Sequence, residues 1–486
     1  MHLAVPRAEG ALEALRVGPG ISALGERFVE RRDPTPLAEP HLVAFNRDVA
    51  ELLGLDAAQT DRPEFLRLIS GGARFGLVPS YAAVYAGHQF GAYVPQLGDG
   101  RAIGLGEILA PNGERFEWQL KGAGLTAFSR FGDGRAVLRS TIREYLASEA
   151  LHHLGIPTTR ALAIAGAPEP VRRETIETAA VLSRIAPTHV RFGSFEYFHY
   201  ARRPDDVKTL AEYTIEQFFP HLREAAEGER YALWLGEIVE RTARLVAQWQ
   251  AVGFAHGVLN TDNMSIAGLT LDYGPYGFME AYDPNFICNH SDDGGRYAFA
   301  RQPSIGLWNC TALGHALASL IPEPARHGAI ALYEPAFESA YLDAMRRKLG
   351  LREARDGDGT LIEDLLTALE RSHADYTQFF RRLSSLKTVE ASPILEPWLR
   401  RYRERLALER SDDAERHAAM KTINPKFVLR NHLAQAAIEA AQAGDFSEIA
   451  RLHEILRRPF DDNAGDERYA SHAPPDTPTV EVSCSS

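Results

Sequence analysis

The stretch that decides the fold is His-Gly-Val-Leu-Asn-Thr-Asp-Asn-Met at residues 256–264, followed by Leu-Thr-Leu-Asp-Tyr-Gly at residues 269–274. These two neighbouring segments carry an asparagine, Asn263, and an aspartate, Asp272. Amide and carboxylate oxygens are hard ligands of the kind that a magnesium ion takes when it also bridges phosphates. We therefore predict that Asn263 and Asp272 are ligands of a metal ion that binds together with a nucleotide.

The spacing within this stretch matches the catalytic loop of protein kinases, which reads His-Arg-Asp, four further residues and Asn, with Asp-Phe-Gly downstream. When His256 and Asn263 are aligned with the kinase histidine and asparagine, Asp272-Tyr-Gly takes the place of Asp-Phe-Gly, after a predicted strand at residues 269–271. A helix-loop-strand unit with turn-forming residues would explain any one of these positions, but not the ordered set. The set favours a nucleotide site of the kinase type.

Val258 occupies the position of the kinase base aspartate, and its side chain cannot accept a proton. Two alternatives follow from this substitution. Either the protein is a catalytically inactive scaffold, or another carboxylate accepts the proton. Asp262, next to Asn263, is the nearest candidate in the sequence.

A hairpin upstream supplies the second part of the predicted site. Asn-Gly at residues 112–113, a strong signal for a tight hairpin turn, joins a predicted strand at residues 102–109 to another at residues 115–121. Protein kinases hold their phosphate-contacting lysine on a strand after such a hairpin, so Lys121 is the candidate for this role. Apolar and polar residues alternate along the second strand, which predicts that only one of its faces is buried. The polar residues are Glu117, Gln119 and Lys121.

Two Gly-Asp-Gly-Arg clusters flank this hairpin, at residues 98–101 and 132–135. Glycine allows the backbone to approach a phosphate closely, and the N–H groups of such turns bind anions. Arginine adds a guanidinium that binds phosphate in a bidentate manner. A tight turn explains either cluster alone, whereas their repetition on both sides of the hairpin favours phosphate binding. Arg184 and Arg191, beside a predicted strand at residues 179–185, extend the same positive region.

The predicted helix at residues 140–154, with Ser140 as its N-cap, offers two acidic partners for the lysine. Glu149 falls on the apolar stripe of a helical wheel, whereas Glu144 falls on the opposite side. A carboxylate on a buried stripe must be paired, so periodicity favours Glu149 as the partner of the lysine. Either residue could instead be a solvated helix charge.

The element pattern predicts an α+β fold with a protein-kinase-like, two-lobed arrangement. We expect an N-terminal helical extension at residues 1–80, packed on the core, and a β-rich N-lobe at residues 81–195. A mainly helical C-lobe follows at residues 196–460 and contains a catalytic island at residues 256–289. Residues 461–486 are polar and rich in proline, which is typical of a tail. Further helices are predicted at residues 46–55, 63–68, 208–219, 233–252, 308–349, 361–386, 398–408 and 435–456, and further strands at residues 161–164 and 179–185.

The composition excludes several classes of protein. Apolar residues make up 45% and charged residues 24% of the 486 residues, which is typical of a globular chain. A net charge of −12, from 53 basic against 65 acidic residues, argues against nucleic-acid or anionic-membrane binding. The three cysteines cannot form a disulfide framework, and there is neither an apolar signal core nor a run of about 18 apolar residues. We therefore expect a soluble, cytoplasmic protein that binds neither nucleic acid nor membranes.

Several unbroken motifs together resemble the selenoprotein O family of YdiU-type proteins, from about Phe28 to the last residue. The motifs are Gly-Asp-Gly-Arg at residues 98–101, Gln-Leu-Lys-Gly-Ala-Gly at 119–124, Phe-Gly-Asp-Gly-Arg at 131–135, the stretch at 256–264, Asp-Tyr-Gly-Pro-Tyr-Gly-Phe at 272–278 and the terminal Cys-Ser-Ser. The resemblance implies a kinase-like fold and a protein adenylyltransferase. Such an enzyme holds ATP in a reversed orientation and moves AMP to Ser, Thr or Tyr hydroxyls of proteins. UMP transfer from UTP is also attributed to bacterial members.

The resemblance also implies a role for each matching residue. Asp262 would be the catalytic proton acceptor, and Asn263 and Asp272 would bind magnesium or manganese. Glu144 would form the structural ion pair with Lys121, against the periodicity of the helix. The residues expected to contact the nucleotide are Gly98, Gly100, Arg101, Lys121, Asp133, Gly134, Arg184, Arg191 and Asp272.

Three functions remain open at this point. The first is transfer of AMP or UMP to proteins, the second is ordinary transfer of the γ-phosphate with Asp262 as base, and the third is nucleotide binding by an inactive scaffold.

Some members of the family carry a selenocysteine near the C-terminus, where this sequence has Cys484. A pairing of Cys484 with Cys288 is a separate hypothesis.

Overall fold

The computed structural model describes residues 10–386, 392–462, 465–474, 480 and 482–483, so Cys484 lies outside the described residues. A large antiparallel sheet is combined with many helices. The strands are β1 (Arg16–Gly18), β2 (Val29–Arg31), β3 (His41–Phe45), β4 (Tyr81–Ala83), β5 (Gly87–Gln89), β6 (Ala92–Val94), β7 (Ala102–Leu109), β8 (Arg115–Lys121), β9 (Ala136–Val137), β10 (Arg160–Arg172), β11 (Ile176–Ala186), β12 (Phe254–Ala255) and β13 (Gly277–Phe278). The α-helices are α1 (Arg47–Leu53), α2 (Pro63–Ile69), α3 (Leu138–His153), α4 (Phe192–Tyr200), α5 (Pro204–Phe218), α6 (Glu227–Val252), α7 (Gln302–Ala316), α8 (Glu323–Ile330), α9 (Tyr333–Lys348), α10 (Asp358–Ser372), α11 (Tyr376–Leu383), α12 (Glu396–Leu408), α13 (Asp413–Lys421), α14 (Asn431–Gln442), α15 (Ser447–Leu456) and α16 (Glu467–Ala470).

The large sheet contains nine strands within the described part of the chain, and all of its pairings are antiparallel. Its main path runs in the order β2, β4, β7, β8, β11, β10 and β3, while β1 pairs with β7 and β9 pairs with β11. The predicted hairpin is confirmed, because β7 and β8 have the predicted bounds and pair directly. Strands β10 and β11 are longer than predicted, and together they form the longest hairpin of the sheet.

The first eighty residues are not a purely helical extension. Helices α1 and α2 form close to the predicted positions, but strands β1, β2 and β3 from the same region join the large sheet. The sequence pattern missed them because each has only three to five residues and pairs with a strand far along the chain. Tertiary pairing therefore decides their conformation, and local periodicity does not.

Both faces of the sheet are covered by helices. On one face, Leu53 of α1 and Phe65 of α2 share a hydrophobic cluster with Trp118 of β8. On the other face, Ile142 of α3 shares a cluster with Leu182 of β11 and with residues of α14 and α15. Helix α3 therefore lies between the sheet and the C-terminal helices, and most of its surface is buried.

Two local predictions are wrong. Helix α3 begins after Val137, and Ser140 is not its N-cap, because the Ser140 hydroxyl donates to the Val137 carbonyl at 3.1 Å. Residues 269–271 are not a strand, since only Thr270 makes a bridge, with Thr158. In both cases, tertiary structure gives the backbone hydrogen-bond partners that the local sequence pattern does not indicate.

The second half of the chain is mainly helical, as predicted. The predicted helix at residues 308–349 is divided into α7, α8 and α9, and the one at 361–386 is divided into α10 and α11. The long helix α6 packs against α7, α8 and α9. Within the described residues, none of the helices combines the length and the apolar composition that crossing a membrane would require.

Three short pairings fix the island at residues 256–289, one between β12 and β13 and two to segments at the ends of β10 and β11. Strands β12 and β13 pair with each other, and this pairing brings together the two ends of the segment that connects them. Thr270 bridges to Thr158, just before β10, and Ser265 bridges to Arg191, just after β11. The island therefore lies beside the ends of the two longest strands, where the sheet meets the helices.

Candidate active site

A cleft of about 590 Å³ lies where the sheet, the two Gly-Asp-Gly-Arg clusters and the island meet. Most of the predicted site residues line it together, although they come from distant parts of the sequence. They are Gly98, Gly100, Arg101, Lys121, Asp133, Gly134, Arg184, Asp262, Asn263 and Asp272. Two other predicted residues, Glu144 and Arg191, lie behind the wall of the cleft and contact its lining residues.

Lys121 forms its ion pair with Glu144, and its Nζ also lies 3.9 Å from Asp272 Oδ1. Burial lowers the pKa of Lys121, while the nearby carboxylates of Glu144 and Asp272 act in the opposite direction. Glu149, which periodicity favoured, pairs instead with Arg160 at 2.7 Å. A helical wheel distinguishes the two residues only for a helix with one buried stripe, whereas α3 is covered on both sides and both glutamates are buried.

Asp272 is the electrostatic centre of the cleft. Arg184 Nη1 donates to its Oδ1 and Arg191 Nη1 donates to its Oδ2. Burial by itself would raise the pKa of Asp272, but Arg191, Arg184 and Lys121 hold that pKa well below its ordinary value. The backbone of Asp272 has φ 58°, a left-handed conformation that costs energy for a residue other than glycine. The arginines therefore fix an ionised carboxylate on a constrained turn.

Asp262 is buried in a short 3-10 helix, Thr261–Asn263. Burial raises the pKa of Asp262 to about 7, while the hydrogen bond from Gln89 and the charge of Arg191 act in the opposite direction. Gln89 Nε2 donates to Asp262 Oδ2 at 3.2 Å, whereas Oδ1 has no hydrogen-bond partner among the described residues. Thr261 anchors the turn by donating to Glu196 at 2.5 Å. A carboxylate of this pKa can accept a proton near neutral pH.

The kinase-like spacing corresponds to a compact local structure. His256 Nε2 lies 3.0 Å from the carbonyl oxygen of Leu271, which joins the two halves of the island. Val258 lines the cleft, and its carbonyl accepts from Asn263 Nδ2 at 2.9 Å. This hydrogen bond uses the amide nitrogen of Asn263 and leaves its amide oxygen as the atom available to a cation.

The two glycine-rich clusters form close backbone turns on the opposite wall. Gly98 has φ 66°, and a Cβ at this position would lie 2.2 Å from the ring of Phe128. Gly134 has φ 73°, and a Cβ there would lie 2.2 Å from the backbone of Gly124. Glycine is therefore required at both positions by conformation and by space.

The charged residues of the two clusters have different environments. Arg101 lines the cleft, and its guanidinium has no hydrogen bond or ion pair within the part of the chain that the structure describes. Arg135 donates to Glu169 at 2.8 Å and to the carbonyl of Thr35 at 2.8 Å. Asp133 is bound by Arg173 at 2.7 Å. Arg101 is therefore the arginine that is ready to bind an anion, whereas Arg135 stabilises the loop.

The family model of protein adenylyltransferase SelO matches residues 11–457 of this chain. The chain belongs to the protein adenylyltransferase SelO family. It is therefore a nucleotidyltransferase, and the predicted resemblance is confirmed.

Relatives with the printed name protein nucleotidyltransferase YdiU are similar over the whole chain. The one from Myxococcus xanthus is 52% identical over 487 residues, which cover 98% of this chain and 99% of the relative. The one from Thioalkalivibrio sulfidiphilus is 50% identical, with 98% and 99% coverage. The one from Herminiimonas arsenicoxydans is 48% identical, with 100% coverage of both chains.

The divalent metal that the SelO family implies fits the oxygen donors of the cleft. Asn263 offers an amide oxygen and Asp272 an ionised carboxylate, both of which suit Mg²⁺ or Mn²⁺. Three or more His, Cys, Asp or Glu residues do not converge on a metal-ligand geometry anywhere in the described residues. The donor set therefore suits a metal that also takes oxygens from nucleotide phosphates, and it does not resemble an all-protein metal cage.

Four residues of the cleft escaped the sequence prediction. Gln89 contacts Asp262, and Arg173 binds Asp133 from the β10–β11 hairpin. The ring of Tyr85 lies 4.3 Å from the guanidinium carbon of Arg191. Asn260 lines the cleft and accepts from Tyr297. Gln89, Arg173 and Tyr85 are far in sequence from their contacts, so no local signal could have identified them.

Proposed function

We propose that this chain transfers AMP from ATP to Ser, Thr or Tyr hydroxyls of proteins, with release of pyrophosphate and with UTP as a second nucleotide. The observation that supports this proposal is the electrostatics of the cleft. Its cations surround one ionised carboxylate, Asp272, whereas the position of the kinase base is Val258. Such a site favours charge neutralisation on phosphates, and most of the barrier to phosphoryl-type transfer is lowered by positioning and electrostatics.

We also propose the kinase-like, two-lobed arrangement as the framework of this reaction. The sheet with α3 would be the N-lobe at residues 81–195, and the helices from residue 196 to 460 would be the C-lobe. The cleft draws its lining from both regions, with Lys121 on one side and the island on the other. This division is consistent with a nucleotide bound between the lobes.

Asp262 would accept the proton of the attacking hydroxyl. The hydroxyl oxygen forms a bond to the α-phosphorus, the bond from that phosphorus to pyrophosphate breaks, and the proton moves to the carboxylate. Oδ1 of Asp262 lacks a partner among the described residues, and the pKa of about 7 permits exchange near neutral pH. Lys121, Arg101 and Arg184 would bind phosphate oxygens. Mg²⁺ or Mn²⁺, held by Asn263 and Asp272, would add positive charge at the phosphates.

The absence of a base at Val258 also favours a second candidate, a nucleotide-binding scaffold. ATP labelled separately at the α- and γ-phosphorus distinguishes these functions from ordinary kinase activity. We expect protein-bound α-label that disappears in Asp262→Asn and Asp272→Asn. Label from the γ-position alone would overturn the proposal, and ATP binding without any labelling of protein would favour the scaffold.

A further inference from the structure

The polar face of β8 is buried, contrary to the prediction that only one face of this strand is covered. Glu117 and Gln119 are 3% and 2% exposed, although alternation placed them on a solvent-facing side. Together with Lys121 they occupy successive positions on one face of the strand. Each of them supports a different charged group near Asp272. Lys121 binds Glu144, and the other two residues lie behind the two arginines.

Gln119 supports Arg184 from behind. Its Oε1 accepts from Arg184 Nε at 3.1 Å and from Nη2 of the same guanidinium. Its Nε2 donates to Asp99 at 2.9 Å, which fixes the orientation of the amide. Two nitrogens of Arg184 are therefore occupied on the inner side, and the third, Nη1, is left to bind Glu144 and Asp272.

Glu117 supports Arg191 through His189. Glu117 Oε2 accepts from the backbone N–H of His189 at 2.8 Å and lies 2.9 Å from His189 Nδ1. Burial lowers the pKa of His189 to about 3 and raises the pKa of Glu117 to about 7, so the imidazole ring is neutral. When Glu117 is ionised, it accepts the proton that the neutral ring carries on Nδ1. The carbonyl of His189 in turn accepts from Arg191 Nε at 3.4 Å. Arg191 Nη1 then donates to Asp272 and, at 2.7 Å, to the carbonyl of Asp262.

The Glu117–His189 pair is not built for stability alone. Glu117 Oε1 and His189 Nε2 are both buried and have no hydrogen-bond partner among the described residues. A buried polar atom without a partner costs free energy, so the hydrogen bonds that this pair does make come with the cost of two buried atoms that make none. The pair instead provides a fixed acceptor at the turn from which Arg191 extends.

We propose that Glu117 is a positioning residue for the nucleotidyl transfer, acting through His189 and Arg191 on Asp272, and that Gln119 has the matching role for Arg184. The proposal depends on the function inferred above. Both arginines donate to one carboxylate, so a small displacement of either guanidinium changes the place where phosphate and metal are bound. A misplacement of about 1 Å is enough to lower a rate about 100-fold.

The test compares Glu117→Ala and Glu117→Gln in the full chain, using α-labelled ATP with Mg²⁺ and a protein acceptor. Glu107 provides a matched control, because it is directly opposite Glu117 in the β7–β8 ladder, is equally buried and pairs with Arg115 at 2.5 Å, outside the arginine network. We expect Glu117→Ala to lower kcat/KM for ATP about 10- to 100-fold. The amide oxygen of Glu117→Gln still accepts from His189, so this variant should remain within about threefold of the natural chain. Glu107→Ala should leave both kcat and the KM for ATP unchanged.

A second readout separates this proposal from the proposed function. ATP binding measured by calorimetry with Mg²⁺ reports on the arginines even if no group is transferred, and we expect weaker binding in Glu117→Ala and in Gln119→Met. Unchanged binding and kinetics in folded Glu117→Ala would overturn the positioning role. A loss in Glu107→Ala equal to that in Glu117→Ala would do the same, because it would indicate a general effect of destabilising the sheet.

Discussion

Asp272 joins a constrained backbone to a carboxylate held by two arginines, and both features are local to this residue. Asn tolerates a left-handed backbone and matches Asp in shape, so Asp272→Asn removes the charge and replaces one of the two acceptor oxygens with an NH2 group. We expect a loss of at least about 100-fold in kcat/KM, because the charge that organises the arginines, and that would hold the metal, is gone. Label transfer from α-labelled ATP measures the effect.

A matched control exists on α5. Asp206 is also buried and also contacts two arginines, Arg27 at 3.2 Å and Arg203 at 2.6 Å, but it does not line the cleft. Asp206→Asn should therefore keep the transfer rate. Equal activity in Asp272→Asn and the natural chain would contradict the role of Asp272.

Asp262 should set the pH dependence of the rate. Its pKa is raised to about 7, and only the ionised carboxylate can accept a proton. We expect kcat/KM to rise with pH through about 7 and then to level off. In Asp262→Asn the rate should be about 100- to 10,000-fold lower and this rise should be absent. A pH profile of Asp262→Asn that keeps the same rise would assign the base to another group.

Asp262 should also make folding stability depend on pH. Because its folded pKa is above the value of an unfolded aspartate, the stabilising contribution is complete below pH 4 and is lost as pH rises through about 7. Asp262→Asn has no such contribution to lose. Relative to the natural chain, the variant should therefore gain about 2 to 3 kcal/mol between pH 5 and pH 8. Denaturant unfolding of the variant and of the natural chain at pH 5 and pH 8 measures this change. A difference in unfolding free energy between the two proteins that stays constant with pH would contradict the prediction.

At the scale of elements, β8 shows which features of a strand can be predicted from its sequence and which cannot. An Asn-Gly turn and strict alternation predicted the bounds of β7 and β8, because both signals are local. Alternation does not identify what covers each face, so the burial of Glu117 and Gln119 could not be predicted. The same limit applies to β1 and β3, whose partners are distant in sequence. The sequence could predict that Asn263 and Asp272 lie near each other because the spacing within the island is local, whereas Gln89 and Arg173 reach the cleft only through tertiary folding.

Helix α3 carries two buried glutamates with separable roles. Glu149 pairs with Arg160 and does not line the cleft, so Glu149→Ala should lower the free energy of unfolding by about 3 to 5 kcal/mol. The KM for ATP of the folded fraction should not change. Glu144→Ala should instead raise this KM, because Lys121 and Arg184 lose a shared partner. Thermal unfolding and steady-state kinetics on both variants test the division, which fails if Glu149→Ala changes the KM as much as Glu144→Ala.

At the scale of the whole molecule, the nucleotide should bind between the sheet and the helical region and stabilise both. A ligand at about 100 times its Kd adds about 2.7 kcal/mol to the stability of the state that binds it. We expect ATP with Mg²⁺ to raise the Tm and a chelator to remove the metal-dependent part of the increase. AMP should give a smaller increase, because it lacks the phosphates that Arg101 and Lys121 would bind. Equal shifts with AMP and ATP would argue against phosphate binding by these cations.

The arginines around Asp272 have a consequence for the nucleotide-free chain. Arg184 and Arg191 already hold an anion that belongs to the protein, so their mutual repulsion is offset and they are shielded from water without a nucleotide. An incoming triphosphate competes with an internal carboxylate instead of meeting bare cations. Binding is then an exchange of partners, in which the free energy of desolvating the guanidinium groups has already been met during folding. If the proposed reaction holds, the same carboxylate would take the place of the departing pyrophosphate and favour its release.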